Sequence, residues 1–308
     1  MRRSSQPLRA TWYGLSANGR GALLMLAAAC LFAANSALIK SLLVSGLNPL
    51  QITFVRLAVG ALAMLPFVWR AGLSSLKTRH PGVHGLRALA GGGAMVCGIA
   101  ALEKLPLADY TALSFAQPLF AVILAVLVLG ETVRWRRWAA TLAGLLGVVI
   151  MVRPGSGAFE AEALLAVAMA FGIAVAVILA KRLPAEESQI TMLFYFSVTT
   201  TLVFAGPALA VWRAPSPAEA LGLVGFGLGG LITQALMIAA FRTGEASVVA
   251  PFDYCKLIVA GVLGFALFGE MPDRWTLAGA AVIVAATLYI ARREASLGRR
   301  PTPRETAS

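Results

Sequence analysis

Asp253 and Lys256 stand three residues apart inside an apolar stretch, with Tyr254 between them and Pro251 just ahead. On a helix that spacing puts both charges on one face, where they can pair or jointly hold a zwitterion. Pro251 lacks a backbone donor and clashes with the carbonyl of Ser247, so the helix is expected to kink or open there. Arg56 is the other isolated charge, and its planar fork could grip a carboxylate or phosphate. It lies about 9 Å along an apolar run at the rise of an α-helix. Gln117 and Pro118 repeat the pairing of a polar group with a helix breaker, with Asp109, Tyr110 and Ser114 upstream. This is chemistry for binding and orienting. Walker P-loop, HExxH and GxSxG patterns do not occur, so the chain reads as a non-enzyme. His80 and His84, without Cys or acid close by in sequence, read as solvated loop residues, so no metal is expected, and no cofactor either.

The elements that must carry these residues are membrane helices. Of the 308 residues 59% are hydrophobic and 13% charged, against about a quarter charged in a soluble domain. A single water-soluble core cannot hide that much apolar surface. Cys30, Cys97 and Cys255 all lie in apolar runs and read as packing residues, not a disulfide framework. A bilayer core needs about 20 apolar helical residues per crossing. Ten runs qualify: 21–40, 50–69, 85–102, 107–130, 138–152, 163–180, 190–212, 220–240, 247–269 and 275–291. The expected fold is all-α, with tails 1–20 and 292–308 and a linker 153–159. The first run has a basic start and a weak cleavage-like box, but it continues as a full span and reads as uncleaved.

Orientation follows from the basic residues. With both tails inside, 19 of the 26 Lys and Arg fall on the cytoplasmic side and five on the other. The net charge of +12 is therefore a topology signal with affinity for anionic lipid, and nucleic acid is not expected as a partner. Trp12, Trp69, Trp135, Trp138, Trp212 and Trp275 sit at or just beyond span ends, as an interfacial belt does. Gly225, Gly227 and Gly230 spell GxGxxG, but in an apolar span they read as close helix packing.

The two halves echo each other. Gly130-Glu131 closes the fourth span and Gly269-Glu270 the ninth, 139 positions later; Thr141-Leu142-Ala143-Gly144 returns as Thr276-Leu277-Ala278-Gly279, and Val68-Trp69-Arg70 as Val211-Trp212-Arg213. Five spans per half is odd, so the second copy enters from the opposite side, the inverted arrangement of alternating-access carriers. Residues 102–154 (LEKLPLADYTALSFAQPLFAVILAVLVLGETVRWRRWAATLAGLLGVVIMVRP) and 239–293 (AAFRTGEASVVAPFDYCKLIVAGVLGFALFGEMPDRWTLAGAAVIVAATLYIARR) each resemble the EamA repeat of the drug/metabolite transporter superfamily. The resemblance covers roughly 21–293. It implies repeats 21–152 and 160–291, ten helices around a central cavity, and usually export across the bacterial inner membrane. It also matches Arg56, the Pro-Phe-Asp-Tyr run and both Gly-Glu pairs to family positions.

These expectations converge on a secondary transporter of a small polar or zwitterionic metabolite: an opine-type metallophore, an S-adenosylmethionine-like compound or another amino-acid derivative. Arg56, Gln117, Asp253, Tyr254 and Lys256 are the expected substrate contacts. Pro118, Pro251, Glu131 and Glu270 are the expected break and gate residues, the two glutamates compensated by Arg134 and Arg274. Lys40 is expected to reach water at its span end. Two alternatives stay open for the charges: Arg56 held by helix-end carbonyls or a neighbouring acid, and Asp253–Lys256 as a self-neutralised packing pair. No acid precedes Glu103, so the first helix lacks the glutamate that small multidrug resistance proteins use, and proton coupling would fall to Asp253. A riboflavin-like importer stacking on Phe115, Phe120, Phe252 and Tyr254, and a non-transporting membrane sensor, are the competing readings. A homodimer is compatible with the sequence.

Overall fold

A computed structural model describes residues 16–72, 76–133, 135–153, 161–184 and 187–298. Trp12, Arg134, the linker after Arg153 and the far ends of both tails lie outside the described residues. The described residues form helices α1 (Ala17–Val44), α2 (Pro49–Ala71), α3 (Pro81–Ala101), α4 (Leu107–Ser114), α5 (Gln117–Leu129), α6 (Trp135–Val152), α7 (Ala161–Lys181), α8 (Gln189–Ala210), α9 (Pro217–Thr243), α10 (Ala246–Val249), α11 (Cys255–Phe268) and α12 (Arg274–Gly298). A 3₁₀ turn, Ala250–Tyr254, joins α10 to α11. Eight segments are long and apolar enough to cross a bilayer, counting α4–α5 and the segment Ala250–Phe268 as one crossing each, and Trp138–Val152 and Arg274–Ile290 are shorter apolar helices.

Helix starts are written locally. Ser16 Oγ accepts from Gly19 N at 3.1 Å, Asn48 Oδ1 from Leu50 N at 2.9 Å ahead of Pro49, and Ser188 Oγ from Thr191 N at 3.0 Å. Ser216 and Glu219 close a capping box on α9. Such caps extend α1, α8 and α9 past the apolar runs, because a capped helix satisfies its own backbone even outside the membrane. α12 likewise runs to Gly298, beyond the expected start of the tail.

Helices α5 and α11 end alike. Gly130 and Gly269 take φ 67° and 68°, and the N–H groups of Glu131 and Glu270 bond the carbonyls of Ala125 and Gly264, both at 3.1 Å. Only glycine takes this left-handed turn without strain. Gly269→Ala is expected to cost about 1–2 kcal/mol, seen as a lower Tm in detergent; an unchanged Tm would mean the turn relaxes without cost.

The interior is lined by small side chains, among them Ala33, Ala37, Ala94, Ala112, Ala166 and Ala260, with Leu107, Leu119 and Ile283 filling between. Leu127, Leu221, Ile258 and Phe265 face outward and are exposed, as a lipid-facing surface requires. Trp69 and Trp135 are largely exposed at helix ends. The chain order places the starts of α1, α3, α6 and α8, with Arg20, Arg79, Arg136 and Arg182, on one face, here termed the basic face.

Candidate functional site

A cavity of about 500 Å³ lies between α1, α2, α3, α4, α7, α8 and α9. Phe32, Tyr110, Phe196 and Phe226 line its walls, Asn35, Ser36, Thr233 and Gln234 add neutral polar groups, and Arg56 and Arg87 add two positive charges. None of the described lining residues is acidic. The lining grades from buried Ile39, Ile99 and Tyr110 at one end to Ala180, exposed Val177 and Leu193 near the basic face.

Arg56 is half-buried on α2. Its guanidinium lies over the Phe226 ring, 4.7 Å from the centroid, and packs against Gly230, where a Cβ would stand 3.0 Å from Nη2. A glycine here lets the guanidinium approach the α9 backbone. Among the described residues it makes no ion pair and no hydrogen bond, so its donors remain for water or a ligand. Arg87 is committed otherwise: Nη2 donates to the Met192 carbonyl, and its plane lies 5.1 Å from the Phe196 centroid. Asn35 Nδ2 reaches Thr233 Oγ1 at 3.4 Å across the cavity.

The remaining expected contacts gather elsewhere. Asp253, Tyr254 and Lys256 lie where α10 gives way to the 3₁₀ turn holding Pro251, and Gln117 and Pro118 open α5 after the break at Phe115–Ala116. The break residues pack on each other: Phe115 and Tyr254, 139 positions apart like the Gly-Glu pairs, have ring centroids 4.7 Å apart. Tyr254 donates to Thr287 Oγ1 at 2.7 Å. Lys256 Nζ pairs with Asp253 Oδ2 at 2.8 Å and stands 4.4 Å from the Phe115 centroid and 4.9 Å from that of Phe32. Phe32 is shared with the cavity wall, so this cluster sits directly behind the wall. Gln117 is half-buried and Pro118 exposed, and neither lines the cavity. Their spacing of three brings Asp253, in the 3₁₀ turn, and Lys256, on α11, together across the join, and the break turns Lys256 toward the aromatic pair.

Two residues that the sequence reads as solvated, Lys40 and His84, are instead buried and tightly held. Lys40 is 6% exposed: Nζ pairs with Glu270 Oε1 and donates to the Leu105 carbonyl at 2.6 Å. It does not reach water, because its partner arrives from 230 positions away. Glu270 also accepts from Leu107 N at 2.8 Å, while Arg274 lies over the Trp275 ring. Glu131 faces Lys181 Nζ at 3.6 Å. His84 is fully buried on α3, its Nε2 3.0 Å from Glu187 Oε1 and its ring stacked on Tyr195 with centroids 4.9 Å apart. The acid that sequence proximity lacked comes from the loop between α7 and α8.

Burial would raise the Glu187 carboxyl, but hydrogen bonds from Thr78 and His84 and the nearby histidine charges hold it below its ordinary value. A carboxylate depressed by folding adds stability above its unfolded pKa and loses it as pH falls through the folded value. The tie between α3 and the α7–α8 loop is therefore expected to weaken in acid, below about pH 4. Tm measured against pH should fall less steeply there for Glu187→Gln than for the wild type; superimposable slopes would remove this carboxylate from the account.

A family model described as the EamA-like transporter family matches residues 19–153 and again 161–292. The S-adenosylmethionine uptake transporter of Rickettsia prowazekii (strain Madrid E) is 34% identical over 244 residues, covering 79% of this chain and 83% of its own. The riboflavin transporter of Vibrio cholerae serotype O1 is 33% identical over 285 residues, 91% of this chain and 96% of its own. The pseudopaline exporter CntI of Pseudomonas aeruginosa is 28% identical over 277 residues, 88% and 96%.

Proposed function

This chain belongs to the EamA-like transporter family, a multi-pass membrane protein that moves a small metabolite and is not an enzyme, and from that premise we propose that its cargo is a carboxylate-bearing, amino-acid-derived compound. The observation that carries this reading is Arg56, an uncommitted guanidinium in the wall of a cavity whose described lining holds no acid. A fixed cation at membrane depth is costly unless water or a counter-charge meets it. The carboxylate would sit on Arg56 beside Tyr110, and the apolar body would pack against Phe32, Phe196 and Phe226. Opine-type metallophores and S-adenosylmethionine-like compounds both present such a carboxylate.

The basic face is the cytoplasmic one under the positive-inside rule, with both termini inside a bacterial inner membrane. The graded lining then opens the cavity toward the cytosol, which favours loading there and export. Uptake is the second reading, favoured by the similarity to an uptake transporter. Deletion of the gene followed by untargeted comparison of cells and medium tests both. A compound that accumulates inside and disappears outside, restored by the wild-type gene, is the expected result; depletion inside reverses the direction. No change in any carboxylate-bearing compound while a neutral or cationic one moves would overturn the substrate class. Asp253 and Lys256 in this reading brace the cavity wall, so their joint exchange for apolar residues is expected to weaken transport less than loss of Arg56, measured as cargo flux in the same strains.

A further inference from the structure

The two Gly-Glu turns engage a lysine each, and each glutamate takes its lysine from the other repeat. Glu270, closing the fourth span of the second repeat, holds Lys40 on the first span of the first repeat. Glu131, closing the fourth span of the first repeat, faces Lys181 on the first span of the second. The turns themselves keep one register, while Lys40 and Lys181, 141 positions apart, stand two residues off it. Glu131 and Glu270 are 139 positions apart, as are the Ala125 and Gly264 carbonyls that accept their N–H groups. The bonds Tyr110 N to Pro106 O and Val249 N to Glu245 O, both 3.0 Å, are 139 apart as well. The two pairs lie on opposite faces of the membrane, because the repeats are inverted.

They are not in the same state. The Lys40 and Glu270 side chains are 7% and 15% exposed, and the pair is clamped further by the Leu105 carbonyl and the Leu107 N–H at the start of α4. Around it Arg153 pairs with Asp273 at 2.8 Å, and Thr276 donates to Asp109 at 3.1 Å. The Lys181 and Glu131 side chains are 56% and 40% exposed, at 3.6 Å. The cavity ends in buried residues toward the clamped pair and in exposed ones toward the loose pair.

We infer that Lys40–Glu270 and Lys181–Glu131 are reciprocal gates, each closing one face of the cavity, and that transport exchanges one set of bonds for its symmetry copy. In the alternate state Glu131 accepts the N–H of Ala246 at the start of α10, the counterpart of Leu107, and Lys181 donates to Glu131 and to the Gly244 carbonyl, the counterpart of Leu105. Lys40 and Glu270 then separate and open the opposite face. Exchanging like bonds for like keeps the two states close in free energy, so that neither face is locked shut.

The test reads accessibility and needs no cargo, so it stands apart from the substrate class proposed above. Cys30, Cys97 and Cys255 are replaced by alanine, and a reporter cysteine is placed at Val177 or at Ile39. A membrane-impermeant thiol reagent is added to one face at a time in right-side-out and inverted vesicles. Glu131→Gln and Lys181→Met are expected to slow labelling of the Ile39 reporter from the face opposite the basic one by at least about tenfold, since they delete the buried pair of the alternate state. These exposed positions can be altered without unfolding the chain. Glu270→Gln and Lys40→Met are expected to do the reverse, raising that labelling and slowing the Val177 reporter from the basic face. Labelling that is unaltered in the Glu131 and Lys181 variants, or altered in the same sense by both sets, would overturn the exchange.

Discussion

Arg56→Ala is expected to abolish transport while leaving the fold as stable as before, or slightly more so. Most buried charges behave differently. An arginine that locks packing through an ion pair strands its partner when removed and lowers stability by about 3–5 kcal/mol. Arg56 has no such partner among the described residues; its contacts are the face of Phe226 and the backbone near Gly230. Removing it takes away an unpaired charge at membrane depth, which costs the free protein nothing in bonds. The substrate loses a charge-assisted, two-pronged contact worth about 2–5 kcal/mol, or roughly 30-fold to several thousand-fold in flux at low cargo concentration. Arg56→Lys should recover little, because an ammonium cannot reproduce the fork or the stacking on Phe226. Flux in vesicles and Tm in detergent, measured on the same preparations, decide the matter. A large fall in Tm with a proportionate loss of flux would make Arg56 a packing residue.

The second large effect belongs to the closing spans of the two repeats. Helices α6 and α12 approach so closely that a Cβ on Gly279 would stand 2.6 Å from the Gly147 carbonyl oxygen, and one on Gly147 would stand 2.8 Å from that of Gly279. The obstacle is backbone, which cannot rotate away as a side chain can. Gly279→Val must push the helices apart and forfeit the contacts on either side, at a cost of about 3 kcal/mol or more. The variant is expected to be recovered from membranes in much reduced amount and to melt well below the wild type. Gly261, on α11, has nothing within 4 Å of its virtual Cβ. Gly261→Ala should be neutral or stabilising, by up to about 1 kcal/mol, since alanine is the better helix former. Equal losses at both positions would mean that helix propensity, not close approach, sets the effect at Gly279.

The membrane spans and the duplication were legible in the chain because bilayer thickness and helix rise dictate a run length. Span ends were less so. α3 begins at Pro81, four residues before its expected start, and those residues turn His84 from a loop residue into a buried partner of Glu187. Within the site, Arg56 could be singled out by its depth alone. Arg87 could not, because as part of the basic side it resembled a topology charge, yet it lines the cavity from α3. Lys40 was misjudged for a related reason. A lysine near a span end reaches water unless something meets it first, and what meets it is a carboxylate 230 positions later.

What the sequence determined by itself is what depends on local periodicity and on counting, namely the helices, the inverted duplication and the paired Gly-Glu turns, and its likeness to a known repeat gave the family. The periodic features are set by residues within a few turns of one another or by repetition at a nearly constant offset. The tertiary structure decided which charges meet. Asp253 and Lys256 are neighbours on any helix, but only the break at Ala250–Tyr254 turns them to the Phe115 side of the cavity wall. Glu131 and Glu270 read as equivalent, yet one is clamped and the other exposed. An inverted repeat encodes both faces alike, and a single conformation closes one of them at a time. Which face is closed depends on contacts between the repeats, and no local pattern of residues carries that information.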